Sequence, residues 1–256
     1  MGEADDAGII AEICIDSIEG VLAAKAAGAA RVELGSALLE GGLTPSFGMV
    51  KQAVSVSGPV DIQVMIRPRG GDFLYTDQEF EAMKADIAAL KELGVDGFVF
   101  GILTAAGDVD VTRTKELIDL ARPASITFHR AFDMALDPIS ALDALIEIGV
   151  DRLLTSGQAP GVVEGTPLIC KLIEHAAGRL IVMPGGDIGP RNVDRIVKET
   201  GAKEIHFAAF ETQPGPMQHR NPDVFMGGTL RPPEYERVVT TNEGIAAVLR
   251  NLPEPG

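Results

Sequence analysis

Ala27-Gly28-Ala29-Ala30-Arg31-Val32 decides the fold, because the same phrase returns three more times: Leu93-Gly94-Val95-Asp96-Gly97-Phe98, Ile148-Gly149-Val150-Asp151-Arg152-Leu153 and Thr200-Gly201-Ala202-Lys203-Glu204-Ile205. In each, a glycine supplies the left-handed residue that ends a helix, and a short turn then feeds an apolar strand. These glycines stand 66, 55 and 52 residues apart, enough for two strand–helix units each. Ile9–Asp16, Val60–Arg67, Ser125–His129 and Leu180–Pro184 supply the intervening strands. Asp77–Leu93, Thr112–Leu120, Pro138–Ile148, Pro167–Ala176 and Arg191–Thr200 read as helices between strands. Eight strands alternating with helices imply a parallel sheet, and 256 residues match one (β/α)8 TIM barrel. The expected organisation is a disordered tail over residues 1–8 and one α/β barrel domain over 9–256. A long connection follows the eighth strand, broken by Pro214-Gly215-Pro216 and Arg231-Pro232-Pro233. A C-terminal helix, Glu243–Leu249, closes the chain, capped by Thr241 or Asn242.

Five strands carry a polar face. Ile9–Asp16 sets Glu12, Cys14 and Asp16 against isoleucines, and Arg31–Gly35 sets Glu33 against Val32 and Leu34. Arg67 alternates with Ile66, His129 with Phe128, and Glu204 and His206 with Ile205 and Phe207. Period 2 is the strand signature. In a barrel whose apolar residues pack outward on helices, Glu12, Glu33, Arg67, His129 and His206 point inside. Charges there must be paired, near water, or both. Sites of this fold lie at the C-terminal ends of the strands, where Arg67, His129 and His206 fall. These five are the candidate catalytic residues: a carboxylate as base, a histidine as acid, and Arg67 holding an oxyanion.

Composition excludes several classes. No apolar run approaches the ~20 residues of a membrane span, and Met1–Gly8 has no basic flank or apolar core of a secretory signal. Cys14 and Cys170 are the only cysteines, so a disulfide framework is not expected and the cytoplasm is the default location. A net charge of −15 argues against nucleic acid or anionic membranes as partners.

Basic residues nevertheless gather where the barrel mouth should lie. Arg67 and Arg69 follow the third strand, Arg130 the fifth, and Arg220-Asn221 the eighth, while Gly185-Gly186 follow the seventh. Adjacent glycines before a helix let backbone N–H groups approach an anion. A small anionic molecule, phosphate or carboxylate, is the expected partner, with Arg69, Arg130, Ser156, Gly185, Gly186, Arg220 and Asn221 as candidate ligand-binding residues. Asp187 would repel a phosphate. The segment bearing Arg220 reads either as a lid or as a subunit-contact arm.

Three stretches then carry a resemblance: Met65-Ile66-Arg67-Pro68-Arg69-Gly70-Gly71-Asp72-Phe73-Leu74-Tyr75, Thr127-Phe128-His129-Arg130-Ala131-Phe132-Asp133-Met134 and Leu154-Thr155-Ser156-Gly157. Together with Glu40-Gly41-Gly42-Leu43-Thr44-Pro45-Ser46 and Met183-Pro184-Gly185-Gly186, they resemble the signature stretches of the CutC family from about Glu12 to beyond Asn221. The resemblance implies a cytosolic (β/α)8 barrel, a homo-oligomer (dimer or tetramer), and a link to copper homeostasis, with copper as the ion bound.

Relatives often place one cysteine on each of the first two strands as copper ligands. Cys14 matches the first position; Gly35 stands at the second. Cu(I) prefers thiolate and thioether ligands, so a chain with Cys14 alone is expected to bind it weakly and release it to a chelator. Glu12, Glu33, His129 and His206 are also acceptable ligand types for a divalent metal, though Arg67 beside them opposes a cation. Three readings follow: a copper-associated binding protein, an acid–base enzyme on a small oxygen-rich anion, and an inactive barrel serving as a scaffold.

Overall fold

The computed structural model describes residues 8–221, 223–224 and 236–253. The tail over residues 1–7, Pro222 and the Arg231-Pro232-Pro233 stretch lie outside them. Eight parallel strands follow one another around a barrel: β1 (Ile10–Ile15), β2 (Arg31–Leu34), β3 (Asp61–Met65), β4 (Gly97–Phe100), β5 (Ser125–Phe128), β6 (Arg152–Thr155), β7 (Ile181–Pro184) and β8 (Glu204–Ala208). Pairing runs unbroken from β8 through β1 to β7. A single bridge between Gly185 and His206 draws the two ends together.

The helices between them are α1 (Ile18–Ala26), α2 (Phe47–Ser57), α3 (Asp77–Lys91), α4 (Val111–Ala121), α5 (Pro138–Glu147), α6 (Val162–Ala176) and α7 (Val193–Thr200). Gly28, Gly94, Gly149 and Gly201, the glycines of the repeated phrase, all have φ between 70° and 81°, the left-handed stop read from the sequence. One helix starts earlier than expected. Pro167 is its expected first residue, but α6 begins at Val162, and Pro167 inside it forfeits the helical hydrogen bond to the Val163 carbonyl.

Apolar residues of the strands pack outward against the helices, as alternation predicts: Ile13, Ile15, Val32, Leu34, Ile62 and Val64 belong to one continuous buried core. The opposite face of each strand fills the barrel. After β8 the long connection is partly a two-stranded ribbon, with β9 (Phe210–Pro214) antiparallel to β10 (Glu236–Thr240). Its residues alternate too weakly in polarity to announce a strand. Thr241 caps α8 (Asn242–Leu249) by accepting from the Gly244 N–H.

Candidate functional site

Strand register builds the site in two layers. Glu12 on β1 stands beside Arg31 on β2 and His206 on β8. One step nearer the C-terminal mouth, Cys14 stands beside Glu33.

The deeper layer is an ionic network. Arg31 Nε donates to Glu12 Oε2 at 2.6 Å, and the same guanidinium donates to Glu204. Arg152 Nε donates to Glu204 at 2.7 Å. The other Glu12 oxygen meets His206 Nδ1 at 2.9 Å. Burial alone would raise the Glu12 pKa, but the His206 hydrogen bond and the Arg31 charge outweigh it and hold the carboxyl below its ordinary range. Glu12 was expected to line the mouth. It lies one layer below instead, because its strand neighbour Arg31 takes one oxygen and His206 the other.

Above this network is a cavity of about 200 Å³, lined in part by Cys14, Glu33, Arg67, His129 and His206. Cys14 Sγ lies 3.9 Å from Glu33 Oε1. Ligand atoms of Cys14, Glu33 and His206 all fall within 4.8 Å of one another. Burial pushes the Cys14 thiol up and the Glu33 carboxyl up to about 7. For His206, burial works against protonation. The charge of Glu33 and hydrogen bonds with Cys14 and Glu12 overcome it and hold the imidazole well above its usual range.

A second wall is set by His129 and Arg67. His129 begins the 3-10 turn Arg130–Met134, its Nδ1 accepting from the Ala131 N–H at 3.2 Å. A neutral imidazole that accepts at Nδ1 carries its proton on Nε2. Burial, reinforced by the Arg67 charge, drives its pKa down to about 3. The ring packs 5.1 Å from Phe73, and Arg67 lies 5.0 Å over that same Phe73 ring. Arg67 spends both terminal nitrogens on backbone: Nη1 donates to the carbonyls of Glu40 and Gly42, Nη2 to that of Gly71. It thereby ties the loops after β2 and β3 together. Gly101 explains how the imidazole fits, since a Cβ there would fall 2.6 Å from His129 Nδ1. Gly101→Ala is therefore expected to destabilise the fold by about 1–3 kcal/mol, read as a lowered urea midpoint.

The candidate ligand-binding residues divide. Arg130 lines the cavity, with Nε on Asp133 and Nη2 on Ser156, both at 2.7 Å. Ser156 is not available to an anion, because the Asp133 carboxylate already occupies that position. It accepts from the backbone N–H groups of Ser156 and Gln158 and from the Thr155 hydroxyl. Arg69 turns away from the cavity, its guanidinium consumed by Glu79, Asp72 and the carbonyls of Gly70 and Leu74.

Gly185 and Gly186 form the seam of the barrel rather than a phosphate nest. Gly185 N–H donates to Thr155 and bridges to His206, while the Gly186 carbonyl accepts from Val162. A Cβ on Gly185 would strike Leu154 at 2.5 Å. Arg220 and Asn221 are exposed and do not line the cavity. Phe210, at the start of β9, does, so the ribbon reaches the mouth through a ring and not through the expected cation. Arg31, Glu204, Arg152, Asp133 and Phe210 were the residues sequence reasoning missed.

The CutC family model matches residues 9–211. The chain belongs to the CutC family. A CutC family protein of Parabacteroides distasonis is 48% identical over 240 residues, covering 94% of this chain and 99% of the relative. The copper homeostasis protein cutC homolog of Homo sapiens is 49% identical over 233 residues, covering 91% of this chain and 85% of the relative. The crystal structure of CutC from Streptococcus agalactiae superposes with a TM-score of 0.75 at 35% identity, over 78% of this chain and 98% of that one. The family thus extends over the whole barrel and both layers of the site. Among the described residues, no helix is long and apolar enough to cross a membrane.

Proposed function

We propose that this chain serves copper homeostasis in the cytoplasm by holding one exchangeable copper ion at the mouth of the barrel. The observation that carries this reading is the donor set of Cys14, Glu33 and His206, with ligand atoms within 4.8 Å of one another. Two ligands about 2.0–2.3 Å from a metal lie at most about 4.6 Å apart, so only slight closure is needed. Glu33 Oε2 is buried without a partner. His206 is oriented by a carboxylate on its other nitrogen, the arrangement that fixes the tautomer of a metal-binding histidine. Met65, whose thioether suits Cu(I), lines the same cavity. Both cysteines are free thiols, as a reducing compartment requires.

The missing second thiolate at Gly35 fits an ion that is passed on rather than stored. Cys14 is held as a thiol and His206 as an imidazolium, so copper must displace a proton from each. Binding should therefore weaken as pH falls, by up to about a hundredfold per pH unit while both protons are displaced, and more steeply below about pH 7, where Glu33 also takes up a proton. Competition titration with a chromogenic Cu(I) chelator across pH 6–8 checks this. One equivalent, readily stripped and pH-dependent, supports the reading; no equivalent at any pH contradicts it.

A further inference from the structure

Three buried polar atoms without a hydrogen-bond partner belong to residues that line the same small cavity: Arg67 Nε, His129 Nε2 and Glu33 Oε2. Their residues are only 6%, 4% and 4% exposed. A buried donor or acceptor left unpaired carries its full desolvation cost, so three converging on one cavity outline a ligand. Their chemistry is specific. Arg67 has three of its terminal N–H groups on backbone carbonyls, which leaves Nε–H and one Nη2–H. His129 accepts at Nδ1 from Ala131, which leaves its other N–H, at Nε2. Two donors thus meet a carboxylate or carbonyl oxygen, and the Glu33 oxygen meets a hydroxyl.

Size and walls limit the ligand further. At about 30 Å³ per water, the cavity of about 200 Å³ holds roughly six or seven waters, room for a small organic molecule. Phe73 braces both donors, and Gly101 leaves the imidazole its place, so the donors are positioned before any ligand arrives. Arg130 also lines the cavity, its charge paired with Asp133.

We propose that the cavity binds a small hydroxycarboxylate, of the size of glycolate, lactate or glycerate, with its carboxylate on Arg67 Nε–H and His129 Nε2–H and its hydroxyl on Glu33. This site shares Glu33 with the copper donor set but does not require the ion. It is tested on copper-free protein by titration calorimetry with glycolate, lactate, acetate and inorganic phosphate. The hydroxy acids should bind one to one, about tenfold or more tighter than acetate, which leaves Glu33 unpaired. Phosphate should bind more weakly than either hydroxy acid.

His129→Asn keeps a side-chain acceptor at the start of the Arg130–Met134 turn, where asparagine is a favoured cap, but removes the N–H that faces the cavity. It should melt near the wild-type temperature and lose hydroxy-acid binding at least tenfold. In 15N-histidine spectra of the wild type, the Nε2–H resonance of His129 should move with glycolate, and with acetate only at about tenfold or higher concentration. Absence of hydroxy-acid binding, equal binding of acetate, preference for phosphate, or an unmoved His129 resonance would each overturn the assignment. The spectrum decides the matter should His129→Asn fail to fold.

Discussion

Replacing Arg31 by Ala should cost about 3–5 kcal/mol of stability, the penalty of leaving buried charges without their partner. Glu12 and Glu204 both rest on this guanidinium, and neither can reach water, being 0% and 4% exposed. Arg152 would still hold Glu204, whereas Glu12 would keep only His206. Equilibrium urea denaturation at neutral pH measures the loss as a lowered midpoint. A shift of less than about 1 kcal/mol, the worth of an exposed ion pair, would mean that water enters the barrel floor. Arg31→Met, which fills the space without the charge, should do no better, because the two carboxylates rather than the volume set the penalty.

The second large effect concerns the same Glu12 from its other side. Glu12→Gln should lower Cu(I) affinity by about 10–100-fold, the usual consequence of altering a carboxylate that orients a metal-binding histidine. Glutamine keeps a hydrogen-bonding oxygen for Arg31 or His206 but removes the charge that helps hold the imidazole in place. Chelator competition on wild type and variant, at a pH where both remain folded, gives the ratio directly. Unchanged affinity would show that copper does not use His206.

Much of this was legible in the chain before its structure. Four repeats of a glycine-stopped helix feeding an apolar strand gave strand–helix alternation, and eight such strands in 256 residues match a barrel. Period-2 alternation then placed Glu33, Arg67, His129 and His206 inside, and all four line the cavity.

The misses share one physical origin: they depend on register and on three-dimensional competition for partners, which alternation does not encode. Arg31 is the first residue of β2 and opens the strand read over Arg31–Gly35, on the same face as Glu33. Only pairing across β1 and β2 brings it beside Glu12. Arg69 and Arg67 are two residues apart in one loop, yet Glu79 in the first turn of α3 captures Arg69 while three backbone carbonyls leave Arg67 at the cavity. Ser156 looked open to an anion until the turn after His129 carried Asp133 into its place. Phe210 lay beyond the last barrel strand and carried no polar signal at all.

X-ray absorption at the copper edge, on protein loaded anaerobically with one equivalent of Cu(I), tests the central claim most directly. The account predicts a coordination shell containing sulfur and imidazole scattering together, with the short thiolate sulfur contribution lost in Cys14→Ser and the imidazole contribution lost in His206→Ala. A shell of oxygen alone, or a wild-type spectrum that Cys14→Ser leaves unchanged, would contradict it.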